Sequence, residues 1–287
     1  DEVFGGYDFR YVPHALECWI RAVTARAGLS GSLRAIGGAW PRSRRLPRAL
    51  RIGTFIENIG RSAADAYFSD LCITKPHDVR LAIGKTGRDP RASAVYEAAT
   101  RPYLECSSAS PVQRAQYADL KVYLPNDVLV KVDRMSMLNS LEIRCPLLDR
   151  RIVELGFRIS TGSKMPRLRA KYLLKRIAVR TLPSDVLRLP KHGFSAPTGE
   201  WIRGEYAKQF ADDVLRAGSR VGEFMDLAVV RRWTHEHSSG ARDRSNTLWA
   251  IWMFERWSRC SERRAERAAP EMRQSRGADA ACVVEAG

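Results

Sequence analysis

Residues 123–137 read Tyr-Leu-Pro-Asn-Asp-Val-Leu-Val-Lys-Val-Asp-Arg-Met-Ser-Met, and their period decides the fold class. Val128, Val132 and Met135 recur at i, i+4 and i+7. That is one apolar stripe of an α-helix opened by Pro125 and running to about Asn139. Asp127, Lys131 and Arg134 repeat at the same spacing and share a second face. A ladder of solvated ion pairs there contributes only about a few tenths of a kcal/mol per pair. The same face turned into a cleft would orient a polar substrate, and periodicity does not separate the two readings.

The helical period continues in both directions. Upstream, Ser110-Pro111-Val112-Gln113 has the form of a capping box with Pro at the first helical position, which predicts a helix to about Tyr123. Residues 14–27 after Pro13, and Pro47 to Ile59, read as further helices. Downstream, helices are expected near 147–158, 169–181, 205–217, 226–238 and 245–266. Alternating strand patterns are scarce, so this stretch is mostly α. Gly, Pro and Arg crowd residues 28–50, marking a weak boundary or an insertion. From Ser261 the composition turns to Arg, Glu and Ala. The expected organisation is a domain over 1–260 and a frayed helix with a disordered tail over 261–287.

The 287 residues are 45% hydrophobic, enough for one large core or two modest ones. No apolar run approaches a membrane span and no basic–apolar leader opens the chain, so a cytoplasmic location without a membrane partner is expected. Six scattered cysteines without a C-x-x-C pair fit reduced thiols and give no support to zinc. The net charge of +16 comes mostly from Arg. It would suit nucleic acid or phosphorylated ligands. The one dense cluster, residues 41–48, has no interleaved aromatics, and no nucleic-acid partner is expected.

Four further stretches bear on chemistry. Asp1-Glu2-Val3-Phe4-Gly5-Gly6-Tyr7 sets two carboxylates before a Gly pair, an arrangement that can hold a hard cation such as Mg2+ or be a plain acidic turn. In Leu141-Glu142-Ile143-Arg144-Cys145-Pro146-Leu147-Leu148-Asp149, Glu142 and Arg144 read as a buried ion pair bracing a helix junction rather than as catalytic groups. Lys191, in Pro190-Lys191-His192-Gly193-Phe194, sits on a Gly-containing loop suited to reaching a phosphate as a point charge. His235 and His237 lie two apart on a helix and so point about 200° from each other, which predicts surface histidines rather than metal ligands.

In this order the pieces resemble the synthetase domain of the glutamine-hydrolysing asparagine synthetases. The family pattern is an acidic pair with F-x-G-Y, then L-P-x-D-x-L-x-K-x-D-R-x-S-M, L-E-x-R-x-P-x-L-D and P-K-x-G-F, and all four are present over roughly residues 1–200. The resemblance implies the C-terminal helical part of an α/β ATP-pyrophosphatase domain, of the adenine nucleotide alpha hydrolase type. The family's S-G-G-x-D-S loop and its glutaminase domain are not in this sequence, so Asp1 is read as a point where a longer chain was cut. The implied reaction is ATP-dependent adenylation of a carboxylate, aspartate or a related acceptor. Transfer of glutamine-derived ammonia follows, with release of pyrophosphate and AMP. By resemblance, Asp1 holds Mg2+, Asp1, Glu2 and Lys191 bind substrate or pyrophosphate, and the catalytic residues are Lys191, which stabilises phosphate charge, and Asp127, close to the reacting centre. A homodimer of the full-length protein, and an isolated fragment without activity, are further expectations. The alternative is a non-catalytic helical remnant or partner-binding module.

Overall fold

The computed structural model describes residues 1–41, 46–84, 94–189 and 196–263, and none of these is in a β-strand. Helices α1 (Asp8–Thr24), α2 (Ser30–Ala39), α3 (Gly53–Ile59), α4 (Ala63–Leu71), α5 (Pro76–Ile83) and α6 (Ala94–Glu105) lead to one long helical run. That run is α7 (Pro111–Ala118), a π-helical segment over Asp119–Leu129, and α8 (Val130–Leu138). After it come α9 (Arg150–Arg158), α10 (Thr161–Lys164), α11 (Tyr172–Ala178), α12 (Ser184–Arg188) and α13 (Thr198–Arg203). The chain continues through α14 (Ala207–Val214), α15 (Arg220–Phe224), α16 (Leu227–Ser238) and α17 (245–263).

Prolines account for the main departures from the period reading. The expected break at Pro125 is absent, because Pro125 lies within the π-helical segment. There the wider turn shifts the backbone bonding, and a residue with no N–H to give is accommodated. Pro13 likewise lies inside α1 rather than ahead of it. It sits in the second turn, where it removes a single backbone donor. The Gly-rich stretch expected to be a boundary is α2, packed on α3. A Cβ at Gly37 would lie 2.3 Å from the Glu57 backbone nitrogen, so the glycine is there for close helix approach. Half of the capping box forms: Ser110 Oγ accepts from the Gln113 N–H at 3.4 Å. The Gln113 amide instead donates to the Phe157 and Ile159 carbonyls.

Contacts group the chain into two compact units. The first comprises residues 1–42, 46–76 and 88–194. Its core stacks Tyr67 on Tyr103, with ring centroids 5.2 Å apart, and adds Tyr11, Val112, Ala115, Ala118 and Met165. The second comprises residues 43–45, 77–87 and 195–287. It closes around Phe210, Val230, Trp233, Leu248 and Trp252 from α14, α16 and α17. One buried polar network runs through it, with Arg244 donating to Asp78 at 2.7 Å and to Glu236 at 2.8 Å. Of the expected tail, residues 261–263 are helical and the rest lies outside the described residues. No described helix is long and apolar enough to cross a membrane.

Candidate functional site

The acidic turn at residues 1–6 is built by its glycines. Gly5 has φ +68°, a left-handed conformation, and a Cβ there would fall 2.1 Å from the buried Met165 Sδ. The Gly6 N–H then donates to the Asp1 carbonyl at 2.7 Å and closes the turn. A Cβ at Gly6 would sit 1.9 Å from Asp1 Oδ1, so only glycine leaves room for that carboxylate. Val3 and Phe4 are buried and anchor the turn, Val3 directly against Gly156.

Two lysines grip this turn. The Lys171 ammonium lies 2.5 Å from Asp1 Oδ1, and the Lys171 N–H donates to the Gly5 carbonyl at 3.3 Å. Lys171 itself has φ +53° at the entrance to α11, a strained conformation for a residue with a side chain. Lys164, fully buried, donates to the Val3 carbonyl and to Gln116 Oε1, each at 3.1 Å. Burial pulls its pKa down to about 8.

From the turn, contacts lead to the helix bearing Asp127. Glu2 is buried and accepts from the Tyr7 hydroxyl at 2.8 Å, so its carboxylate is committed. Burial and that carboxylate push the Tyr7 pKa up. The Tyr7 ring meets Tyr123 edge-on at 5.8 Å, and the Arg10 guanidinium lies 4.8 Å over the Tyr123 ring. Arg10 also donates to Asp119 at 2.7 Å, and Tyr11 and Tyr67 donate to the same carboxylate at 2.8 and 2.9 Å. Asp119 has no exposed surface. Burial raises its pKa, against the opposing pull of Arg10 and the two hydroxyls.

The structure separates the residues singled out from sequence. Asp1 and Glu2 share one turn, Asp1 facing Lys171 and Glu2 turned inward to Tyr7. Asp127 pairs with Lys131 at 3.0 Å in a solvated pair, its side chain 42% exposed. The Glu142–Arg144 pair exists, at 2.7 Å, but the expectation of burial fails: the two side chains are 70% and 84% exposed. Residues 139–149 follow α8 as a water-facing segment with a short 3-10 turn at Pro146–Leu148, and no described element covers the pair. Lys191 lies outside the described residues. His237 also departs from its expected surface position. It is buried, with Nε2 2.9 Å from the Gly199 carbonyl and Nδ1 accepting from the Arg244 N–H at 3.3 Å.

The family model for asparagine synthase matches residues 1–259, from the acidic turn through α17. This chain belongs to the asparagine synthase family. It is 27% identical over 258 residues to "Asparagine synthetase (glutamine-hydrolyzing) 1" of Bacillus subtilis, a match covering 90% of this chain and 38% of that protein. It is 37% identical over 155 residues to the "Putative asparagine synthetase (glutamine-hydrolyzing)" of Mycobacterium tuberculosis, covering 54% of this chain and 24% of the relative. "Amidase chry2" of Gibberella zeae is 26% identical over 128 residues, or 42% of this chain and 19% of its own length. The chain thus spans well under half of each of these relatives. No solved structure matches it.

For this asparagine synthase family chain, sequence reasoning missed Lys164, Lys171 and Asp119. Asp119 left a signal: an acid following Val112, Ala115 and Ala118 on an apolar helical stripe needs a partner if it is buried. Lys171 left none, since its link to Asp1 joins residues 170 positions apart through a loop conformation. Lys164 reads locally as the end of a short helix.

Proposed function

We propose that this chain is the C-terminal part of the synthetase domain of an ATP-dependent, glutamine-hydrolysing amidotransferase. In this reading the domain has the α/β ATP-pyrophosphatase fold, and the chain supplies its helical part. The acceptor is the side-chain carboxylate of aspartate or a related acid, which is adenylated before ammonia attacks it. The observation that supports this best is the Asp1–Lys171 pair held on the Gly5-Gly6 turn. It sets a carboxylate beside a cation, a pairing suited to a metal-bound phosphate, within the residues that the family model matches.

Mg2+ fits the Asp1 end of this arrangement. Asp1 offers hard oxygen donors, 27% exposed, over a glycine that leaves it room, and Mg2+ takes few protein ligands besides waters and substrate phosphates. Asp1 would hold the ion, which would supply neutralisation of charge on pyrophosphate. Glu2, already bonded to Tyr7, orients the turn rather than ligating. Lys171 would bring positive charge beside Asp1, and Lys191 takes the role of stabilising charge on the leaving pyrophosphate. Asp127, paired with Lys131, is taken as the acidic residue close to the reacting centre. Exposed Met135, Met137, Leu138, Leu141, Ile143 and Leu147 line the stretch after the π-helical segment. They support a remaining part of the domain packing there.

The test is Lys191→Ala in the full-length polypeptide, followed by pyrophosphate release from Mg-ATP and the acceptor. Turnover is expected to fall by two orders of magnitude or more at an unchanged melting temperature, because charge stabilisation and not packing is removed. Near-normal release would remove Lys191 from the mechanism. The exposed apolar stretch also suits a non-catalytic partner-binding module, and a full-length polypeptide that releases no pyrophosphate at all would favour that reading.

A further inference from the structure

Among the described residues, seven buried side-chain nitrogen or oxygen atoms have no hydrogen-bond partner, and five of them gather in one place. They belong to Arg10, His14 and Glu17 of α1, Asn58 of α3, and Arg61 just beyond it. Folded proteins leave few such atoms, and a concentration of them calls for an explanation. Of the five, Arg10 and Glu17 line a cavity of about 300 Å³, whose wall also includes Pro13, Arg51, Phe55 and Asp70.

The wall has two chemically distinct ends. At one, the Asn58 amide donates to both Glu17 Oε1, at 3.2 Å, and Asp70 Oδ1, at 3.0 Å, and so holds two carboxylates side by side. Glu17 is 1% exposed and its Oε2 has no hydrogen-bond partner. Burial and the neighbouring Asp70 push the Glu17 pKa up to about 8. At the other end, Arg10 is 8% exposed and held in place by Asp119, yet its Nε–H has no acceptor. Arg51 stands at the exposed rim, its Nε donating to the Leu46 carbonyl at 3.0 Å. Phe55 and Pro13 supply apolar wall between the two ends.

Two carboxyl groups held together favour a ligand with positive charge and several directional donors, which an ammonium provides and which would draw the proton off Glu17. A divalent metal fits worse, because Arg21 and Lys75 already act on these acids. Guanidinium groups favour a carboxylate. A cavity of about 300 Å³ is at the small end of ligand sites and has room for a molecule of about ten heavy atoms. We propose that this cavity binds a free α-amino acid, its ammonium on Glu17 and Asp70 and its carboxylate toward Arg10 and Arg51. The site is separate from the Asp1–Lys171 turn and does not depend on the reaction proposed there.

Calorimetric titration of the full-length polypeptide with each standard amino acid except aspartate and glutamine, which the proposed reaction itself would bind, tests this. The matched controls are ethylamine, which lacks the carboxylate, and propionate, which lacks the amine. At least one amino acid is expected to bind, at least tenfold weaker in Glu17→Gln and in Arg51→Ala, and unchanged in Asp1→Asn. Glu17→Gln keeps the side-chain shape and Arg51 is at the rim, so circular dichroism melts of both variants should match the parent. Absence of binding by every amino acid, binding indifferent to both substitutions, or ethylamine binding as tightly as the best amino acid would each overturn the proposal.

Discussion

The two compact units solve burial differently. The second, containing α14 to α17, puts Phe210, Val214, Val230, Trp233 and Leu248 wholly out of water, and its polar network of Asp78, Arg244 and Glu236 is closed by ion pairs. In the first, the interior holds Asp119, His14, Glu17, Asn58 and Lys164. Over residues 130–189 of that unit only Ser136, Gly156, Lys164 and Met165 are buried. One unit is therefore stabilised mainly by its own apolar core. The other spends its interior on charged groups and leaves a long stretch of apolar side chains facing water, which supports the proposal that further chain packs there.

The largest effects should come from the two interiors. Asp119→Ala leaves the Arg10 guanidinium buried without its counter-charge and should cost about 3–5 kcal/mol. Trp233→Ala should cost a similar amount, about 3–5 kcal/mol, through the cavity it leaves. The difference lies in rescue. Arg10→Met and Asp119→Leu combined with Tyr11→Phe and Tyr67→Phe should recover most of the loss in the first unit, because no buried partner of the carboxylate is then left unpaired. No exchange of one neighbour should restore Trp233→Ala. Urea denaturation of each variant measures this. A cost below about 1 kcal/mol for Asp119→Ala would break the contrast.

A smaller effect separates the units by pH. Burial raises Glu17 from 4.5 to about 8, so folding favours its protonated form, and that contribution is lost as pH rises toward 8. Burial lowers His14 from 6.5 to about 4, so folding favours neutral imidazole, and stability is lost as pH falls through that range. The two slopes oppose each other between about pH 4.5 and 6.5, so the first unit should hold steady there and weaken as pH rises from about 6.5 to 8. In the second, burial pushes Asp78 up, but hydrogen bonds from His77 and Arg244 outweigh it and hold its pKa down. Its contribution is present above the ordinary carboxylate range and lost only in acid. Amide exchange, corrected for intrinsic rate, should show residues 8–24 less protected at pH 8 than at pH 6, with residues 227–238 unchanged. Glu17→Gln should abolish the difference.

How much of this could be read from sequence follows from where the information lies. The helical class, the position of α16 and the sharing of one helix face by Asp127 and Lys131 follow from short-range spacing and were legible, whereas the exposure of that face was not. The glycine turn at residues 5–6 was legible as a motif. Its second half was not, because Lys171 meets Asp1 only after the chain has passed through α1 to α10. Pro13 and Pro125 misled because a proline's cost depends on its turn and on the local bonding pattern, which the residue itself does not encode. Glycines in α2 read as a boundary since sequence cannot distinguish a turn from a close helix crossing. His237 reads as surface because the residue types flanking it do not reveal that Gly199 packs over it.

The smallest expected effect bears most directly on what the first unit lacks. Glu142 and Arg144 are 2.7 Å apart but largely in water, so Glu142→Ala in the present chain should change stability by no more than about 0.5 kcal/mol. Leu141, Ile143 and Leu147 around them are also exposed, an arrangement that in a finished domain would be covered. If further chain packs over this segment, the same pair becomes a desolvated ion pair. Removing one partner would then cost about 3 kcal/mol or more. Urea denaturation of Glu142→Ala in the present chain and in the full-length polypeptide decides the matter. A cost that rises several-fold with the longer chain places the missing packing on this face. Equal, small costs in both would leave residues 141–147 as surface and move the search for the covering layer to the apolar residues of α9 and α11.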